Sequence, residues 1–329
     1  MRVTDNLTRN RFSSDIASIN ERVSKSRIKY TSGEELITIG DNPEALVTAK
    51  KYKVMIERNK SYSSLIKSTI EERNTAEAKL ETISGNIQKV RDLAIESTHI
   101  GNTPNFAALG DYVKGLLKDM LRDANGEHNG KYLFAGTKTT PESISAVSAS
   151  GSELPFELIE GAPTATNPSG ITIEFNGNNE KRVINRDDLA SEEVNSTAAE
   201  AFGGTSAFDS IIQFYNMLKY NSDGTARGVN DSLKPEEITA LNTIQKNLAS
   251  TAERINSVIS RGGEQILRFE SIGEQMANEN ARLDEYRSRL EDADVARAAV
   301  DLTRDENALQ YALQAGAGIA KTSLFDFLR

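Results

Sequence analysis

The sequence predicts a mainly α chain, an elongated, coiled-coil-like helical rod built from both termini, with a small β-rich insert between them. Three observations carry that expectation. Residues 235–329 place apolar side chains at three-then-four spacing through Phe269, Ile272, Met276, Leu283, Tyr286, Leu290 and Ala293, with Glu279 missing a beat, so the stripe needs another long helix as its partner. Residues 43–100 hold the same spacing through Tyr62, Ile66, Thr69, Ala76, Leu80, Ile83, Ile87, Val90 and Ala94, with Arg73 as the charge in the seam. Between Tyr132 and Ala201 the helical period is gone and short β-compatible runs replace it.

Taken in order, a first amphipathic helix over residues 5–30 steps through Phe12, Ile16, Ile19, Val23 and Tyr30, with Ser26 as its polar interruption. Gly33 can end it by taking positive φ, and Asn42 with Pro43 supplies the N-cap and first position of the next helix. That helix is expected to stop at Gly101-Asn-Thr-Pro104, and a shorter one then uses Leu109, Val113, Leu116 and Met120. Asn125 to Gly136 reads as a turn leading into a strand. The runs Phe156–Ile159, Ile171–Phe175 and Arg182–Ile184 follow, and Asn176-Gly177 predicts a hairpin between the last two. Residues 206–220 return to helix through Phe208, Ile211, Ile212, Tyr215 and Leu218, and residues 221–232 form a loop. From Pro235 one helix is expected to run to the end of the chain, with a possible bend at Arg261-Gly-Gly-Glu264. The resulting division is 1–42, an N-terminal assembly helix and turn; 43–131, half of the rod; 132–205, an outward-projecting β-rich insert; 206–290, the other half of the rod; and 291–329, a C-terminal assembly helix.

Composition narrows the function. The 329 residues are 38% hydrophobic, lack Trp, and have a mean hydropathy of −0.47, which suits surface-rich long helices better than one large core. A net charge of −9 and a pI near 5.1 argue against nucleic acid as the main partner, although the first thirty residues lean basic. Without Cys there are no disulfides, thiolate metal sites or Cys nucleophiles. The N-terminus has no apolar h-region of a cleaved signal peptide, and no run reaches membrane-span length, so no membrane insertion is expected.

No catalytic constellation is expected. His99 and His128 have no second His or Cys at ligand spacing, so neither metal nor cofactor is predicted. Asn221-Ser-Asp-Gly-Thr lacks the remaining ligands of a calcium loop, and Gly316-Ala-Gly318 lacks the strand and third glycine of a dinucleotide loop. What stands out is association surface. The final segment alternates Leu309, Leu313 and Ile319 with a run of Ala and Gly, which lets helices approach closely, and ends in apolar Leu324, Phe325, Phe327 and Leu328. Either this helix docks on its own chain or it is an assembly interface. The matching N-terminal helix makes assembly the expectation, through Leu7, Phe12, Ile16, Ile19, Val23, Leu302, Leu309, Leu313, Ile319, Leu324, Phe325, Phe327 and Leu328. Both terminal helices are expected to be loose in the free chain and to order on polymerising.

Several motifs together resemble the flagellin superfamily, and within it the hook–filament junction family. They are Met1-Arg-Val-Thr4, the Ser32-Gly33 to Asp41-Asn-Pro43 element with Ala45, Asn129-Gly-Lys-Tyr-Leu-Phe-Ala-Gly136, and Asp294, Ala296, Leu302, Ala308-Leu-Gln310 and Ser323-Leu-Phe-Asp-Phe-Leu328. Glu34-Glu35, Asn42 and Arg261-Gly-Gly263 depart from the family pattern. The resemblance implies an extracellular structural protein of the bacterial flagellum, not an enzyme, exported unfolded by type III export rather than by a signal peptide. It implies hook-associated protein 1 and flagellin as neighbours, the flagellar cap protein as a transient contact, a cytosolic export chaperone, and self-association in a helical ring. Flagellin itself is the alternative.

Overall fold

Helix boundaries in this chain are set by side chains that satisfy end groups. The computed structural model describes residues 2–38, 40, 42–98, 105–187, 190–228 and 231–327. Helix α1 spans Arg2–Ser32 and ends at Gly33, whose φ of 71° is the left-handed conformation expected of it. Helix α2, Pro43–Glu96, starts where Asn42 Oδ1 accepts the amide of Ala45 at 3.1 Å. It ends at Glu96, and the expected stop at residues 101–104 lies outside the described residues. Helix α3 is Phe106–Ala124, capped by Asn105.

The described chain divides into two compact units, one drawn from the chain up to Ser61 and from Glu274 onward, the other comprising Tyr62–Gly273. Helices α2 and α7 (Pro235–Glu291) contribute residues to both.

In the first unit the single helix expected over residues 235–329 is two helices, α7 and α8 (Val295–Phe327). The break has a local cause. Asp294 Oδ1 accepts the amides of Ala296 and Arg297 at 3.0 and 3.1 Å, an N-cap that competes with helix continuation. The freed backbone then pairs with the link after α1: Glu35 N–H donates to Glu291 O at 2.6 Å and Ala293 N–H to Gly33 O at 2.8 Å. Each link thus supplies the hydrogen bonds the other needs. In this unit α2 and α7 run antiparallel, with Tyr52 against Tyr286 (ring centroids 6.0 Å apart) and Asn59 Nδ2 donating to Asn280 Oδ1 at 3.1 Å.

The second unit is organised by one apolar core. Ile83, Ile87 and Val90 of α2, Val113, Leu117 and Met120 of α3, Ile211 and Phe214 of α6 (Ser206–Lys219), and Leu241, Leu248 and Ile255 of α7 all belong to it. Here α7 runs unbroken through Gly262 and Gly263. Residues 127–202 add two-stranded antiparallel ribbons and short helices. Strands β1 (Glu127–His128) and β2 (Lys131–Tyr132) pair across a two-residue turn in which Asn129 and Gly130 have φ of 50° and 71°. Helices α4 (Pro141–Ser145) and α5 (Ala198–Phe202) both start at capping boxes, Thr140 with Ser143 and Thr197 with Glu200.

The hairpin expected through Asn176-Gly177 does not form. Strand β4 (Ile171–Phe175) pairs instead with β3 (Phe156–Glu160), Phe156 opposite Phe175, while β5 (Val183–Asp187) pairs with β6 (Ala190–Glu193). The Asn-Gly segment has other bonds to make. Asn176 N–H donates to Pro155 O at 2.8 Å, Asn178 N–H to Ala135 O at 3.1 Å, and Gly177 lies against the Phe175 ring and the Ala135 backbone, where a Cβ would not fit. The β3–β4 ribbon joins the helical core rather than making its own, because Phe156 sits edge-on to Phe202 and Phe208 at centroid distances of 5.7 and 5.3 Å.

Candidate assembly surface

Helices α1 and α8 lie side by side and antiparallel. Towards one end Ser26 Oγ donates to Asp305 Oδ2 at 2.8 Å and Arg27 pairs with Glu306 at 2.9 Å, while towards the other the Phe12 ring lies on Gly316. The face of α8 turned to α1 is Ala298, Leu302, Asp305, Leu309, Ala312 and Gly316, in four-then-three steps, and each is at least half-buried. The opposing face of α1 is Phe12, Ile16, Ile19, Val23 and Ser26, half-buried except for the fully buried Val23.

The polar interruption in each stripe is answered by the other. Asp305, buried within the pair, accepts from Ser26 and lies 3.7 Å from Arg22, so its carboxylate is compensated where it leaves water. Gly316 has a steric reason: a methyl there would stand inside the Phe12 ring. Small residues in α8 therefore do set a close helix approach at this position.

Of the residues singled out from sequence, the structure brings Phe12, Ile16, Ile19, Val23, Leu302 and Leu309 to the facing sides of this pair. It leaves Leu7 and Leu313 outside, 52% and 54% exposed. Residues 319–327 continue α8 as backbone, but the side chains of Ile319, Leu324, Phe325 and Phe327, and all of Leu328, lie outside the described residues.

A second stripe on α8 escaped the sequence reading. Val300, Arg304, Asn307 and Tyr311 repeat the same four-then-three step on the outward face, and Val300 and Tyr311 are 68% and 67% exposed. With Ala299, Thr303 and Ala308 they line a shallow concavity of about 710 Å³ along the helix. The signal was present as a second heptad offset from the first, but two of its four positions are polar. Nearer the links, Arg22, Lys25, Lys29, Arg297 and Arg304 face Glu35, Asp294, Asp301 and Asp305 around a polar concavity of about 490 Å³. Among the described residues no group of three or more His, Cys, Asp or Glu is placed to hold a metal ion, and no helix is long and apolar enough to cross a membrane.

Helices from both ends of the chain thus pair with each other and leave a further apolar stripe that no described residue covers. Residues 3–139 match the bacterial flagellin N-terminal helical region. Among solved structures, the fold resembles a candidate flagellar hook-associated protein from Vibrio parahaemolyticus, with a TM-score of 0.59 and 14% identity over 77% of this chain and 100% of that one. It also resembles flagellar hook-associated protein 3 from Legionella pneumophila (TM-score 0.55, 12% identity, 73% of this chain and 97% of that one) and FlgL from Xanthomonas campestris (0.53, 12%, 73% and 99%). No curated protein sequence matches the chain. Residues 3–139 thus resemble the flagellin N-terminal helical region, and the chain has the mainly helical fold of the FlgL-like structures.

Proposed function

We propose that this protein is the structural adaptor that joins the hook, through hook-associated protein 1, to the flagellin filament. The observation that carries the proposal is the double stripe of α8: its inner face is covered by α1, while Val300, Tyr311 and Leu313 stand exposed and unpartnered by any described residue. A helix pair with a spare apolar stripe is stabilised by further helices, and contacts that repeat head-to-tail without closing build helical assemblies. In this reading Phe12, Ile16, Ile19, Val23, Leu302 and Leu309 pack within the subunit. Leu7, Val300, Tyr311, Leu313 and the apolar residues from Ile319 to Leu328 meet neighbouring copies, hook-associated protein 1 and flagellin. The flagellar cap protein and a cytosolic export chaperone are earlier, transient partners of the same helices, and export runs through the flagellum's own type III route to the extracellular junction.

Flagellin, the bulk filament subunit, is a second reading, favoured by the match of residues 3–139 to the flagellin N-terminal region. Abundance separates the two. Quantitative mass spectrometry of sheared, washed flagella should find this chain as a reproducible trace component. Finding it as the dominant protein makes it a flagellin, and finding it only in the cytosol ends both readings. Within the adaptor reading, Leu313→Asp should abolish filament attachment with the core of the second unit intact by circular dichroism. Normal filaments on that variant would remove α8 from the interface.

A further inference from the structure

The chain contains three Asn-Gly steps, Asn125-Gly126, Asn129-Gly130 and Asn176-Gly177. An asparagine followed by glycine can cyclise without a catalyst. The glycine nitrogen attacks the side-chain Cγ, the Cγ–Nδ2 bond breaks, and ammonia leaves with the proton from the glycine N–H. The succinimide so formed takes up water and opens as aspartate or as isoaspartate. Glycine favours the step because no Cβ hinders its nitrogen. The remaining requirements are that this N–H be free and that the asparagine side chain be able to swing onto it.

The fold treats the three steps differently. Asn125 is clamped on Phe156, its Oδ1 accepting from the Phe156 amide and its Nδ2 donating to the Phe156 carbonyl, both at 2.8 Å. The N–H that would attack is also spent, because Gly126 donates to Asp123 O at 3.0 Å. Asn176 is buried with its Nδ2 donating to Leu154 O at 3.2 Å, and Gly177 is packed against the Phe175 ring. Asn129 and Gly130 are both exposed at the tip of the β1–β2 ribbon, with open space around Gly130. The Asn129 side chain makes one exposed contact, Nδ2 to the adjacent His128 Nε2 at 3.1 Å, the ring's Nδ1 lying 3.1 Å from Thr75 Oγ1, so it is held by a single solvent-exposed bond where Asn125 is held by two and Asn176 is buried.

We propose that Asn129-Gly130 is a site of spontaneous succinimide formation and conversion to aspartate and isoaspartate in the folded protein, and that the other two Asn-Gly steps are protected by the fold. The isoaspartyl product inserts an extra backbone carbon into a two-residue turn and adds a carboxylate next to Glu127 and His128. It therefore strikes the pairing of Glu127 with Tyr132 and of His128 with Lys131, immediately before the buried Leu133 and Phe134.

The test incubates the full chain in neutral buffer, with and without denaturant, and follows each of the three Asn-Gly peptides by mass spectrometry with isoaspartate detection. The readout is the native rate divided by the denatured rate at each site, which cancels intrinsic sequence effects. Asn129 should give the highest ratio, and Asn125 and Asn176 should fall at least about tenfold below it, because they react only from locally opened states. A ratio at Asn125 or Asn176 that equals Asn129's would overturn the proposal. So would an Asn129 that stays an amide in the native chain while the denatured chain converts.

Discussion

Arg227 and Glu237 form the ion pair from which the start of α7 can be dissected. Their side chains are 1% and 9% exposed, and Arg227 Nη2 donates to Glu237 Oε1 at 2.7 Å. The guanidinium also serves three carbonyls that the turn leaves over: Nε to Met217 O at 3.1 Å, Nη1 to Ser232 O at 3.2 Å and Nη2 to Tyr220 O at 3.2 Å. It lies 5.8 Å from the centroid of the Phe106 ring. Glu237 Oε2 accepts the Lys234 amide at 2.8 Å, which caps α7. Glu237→Ala would leave a buried cation without its counter-ion, at a cost of about 3–5 kcal/mol, and lose the cap, worth about 1 kcal/mol. Arg227→Met would leave the carboxylate unpaired and the three carbonyls without donors, again about 3–5 kcal/mol. These costs belong mainly to the charge left behind, so the double variant should cost far less than their sum, with a coupling of at least about 2 kcal/mol. Urea unfolding followed by circular dichroism measures all three variants against the parent. Single-variant losses below about 1 kcal/mol, or additivity within about 0.5 kcal/mol, would show that the pair is solvated and the reasoning wrong.

Other positions give sharper local tests. Gly316→Ala should displace the Phe12 ring and cost about 1–3 kcal/mol of α1–α8 pairing, read as faster amide hydrogen exchange in both helices with α3 and α6 unchanged. Asn59→Leu alone should cost about 1–3 kcal/mol by stranding the Asn280 amide, whereas Asn59→Leu with Asn280→Leu should recover most of that loss in the same unfolding assay. Burial raises the Glu200 carboxyl, but the Lys181 hydrogen bond, the Thr197 amide and the charges of Lys181 and Arg261 outweigh it and hold the group below the usual carboxylate range. Its contribution is therefore present in full above the ordinary glutamate value and is lost as pH falls through the lowered one. Glu200→Gln should flatten the acid limb of a stability–pH curve; an unchanged limb would contradict that assignment.

The helices were legible because each apolar stripe has a single period over many turns, and the ends at Gly33 and Asn42 because their side-chain and φ requirements are local. The break before α8 was missed because residues 292–294 interrupt the stripe only briefly. What ends the helix there is a cap by Asp294 together with two backbone bonds to Gly33 and Glu35, which are remote in sequence. The wrong hairpin at Asn176-Gly177 has the same origin. Only a bend forms at Gly177, and the amides of Asn176 and Asn178 donate to Pro155 and Ala135, which no local pattern specifies. The capping boxes at Thr140 and Thr197, by contrast, were readable and were passed over inside a segment taken to be strand and loop.

The polar interruptions show what a stripe can and cannot say about its partner. Ser26, Asn59 and Ser84 each look like a flaw in an apolar seam, yet each meets a polar residue across it, Asp305, Asn280 and Asn256 respectively. A polar group in such a seam is costly in any register but the one that gives it a partner, so these pairs select one alignment from the several that a regular heptad permits. Arg73 fits less simply. It is buried, its Nη1 reaches Ser196 Oγ at 3.4 Å opposite the side-chain-free Gly262, and its Nε has no hydrogen-bond partner. The same logic applied to α8 separates its two faces. The inner stripe carries Asp305 and finds Ser26 in its own chain. The outer stripe carries Arg304, which pairs within α8 with Asp301 at 3.1 Å, and Asn307 between the exposed Val300 and Tyr311, and no described helix covers it. On the assembly proposed above, Asn307 meets a polar side chain of the covering helix, so Asn307→Leu should lower the amount of this protein retained on sheared flagella; unchanged retention would contradict that pairing.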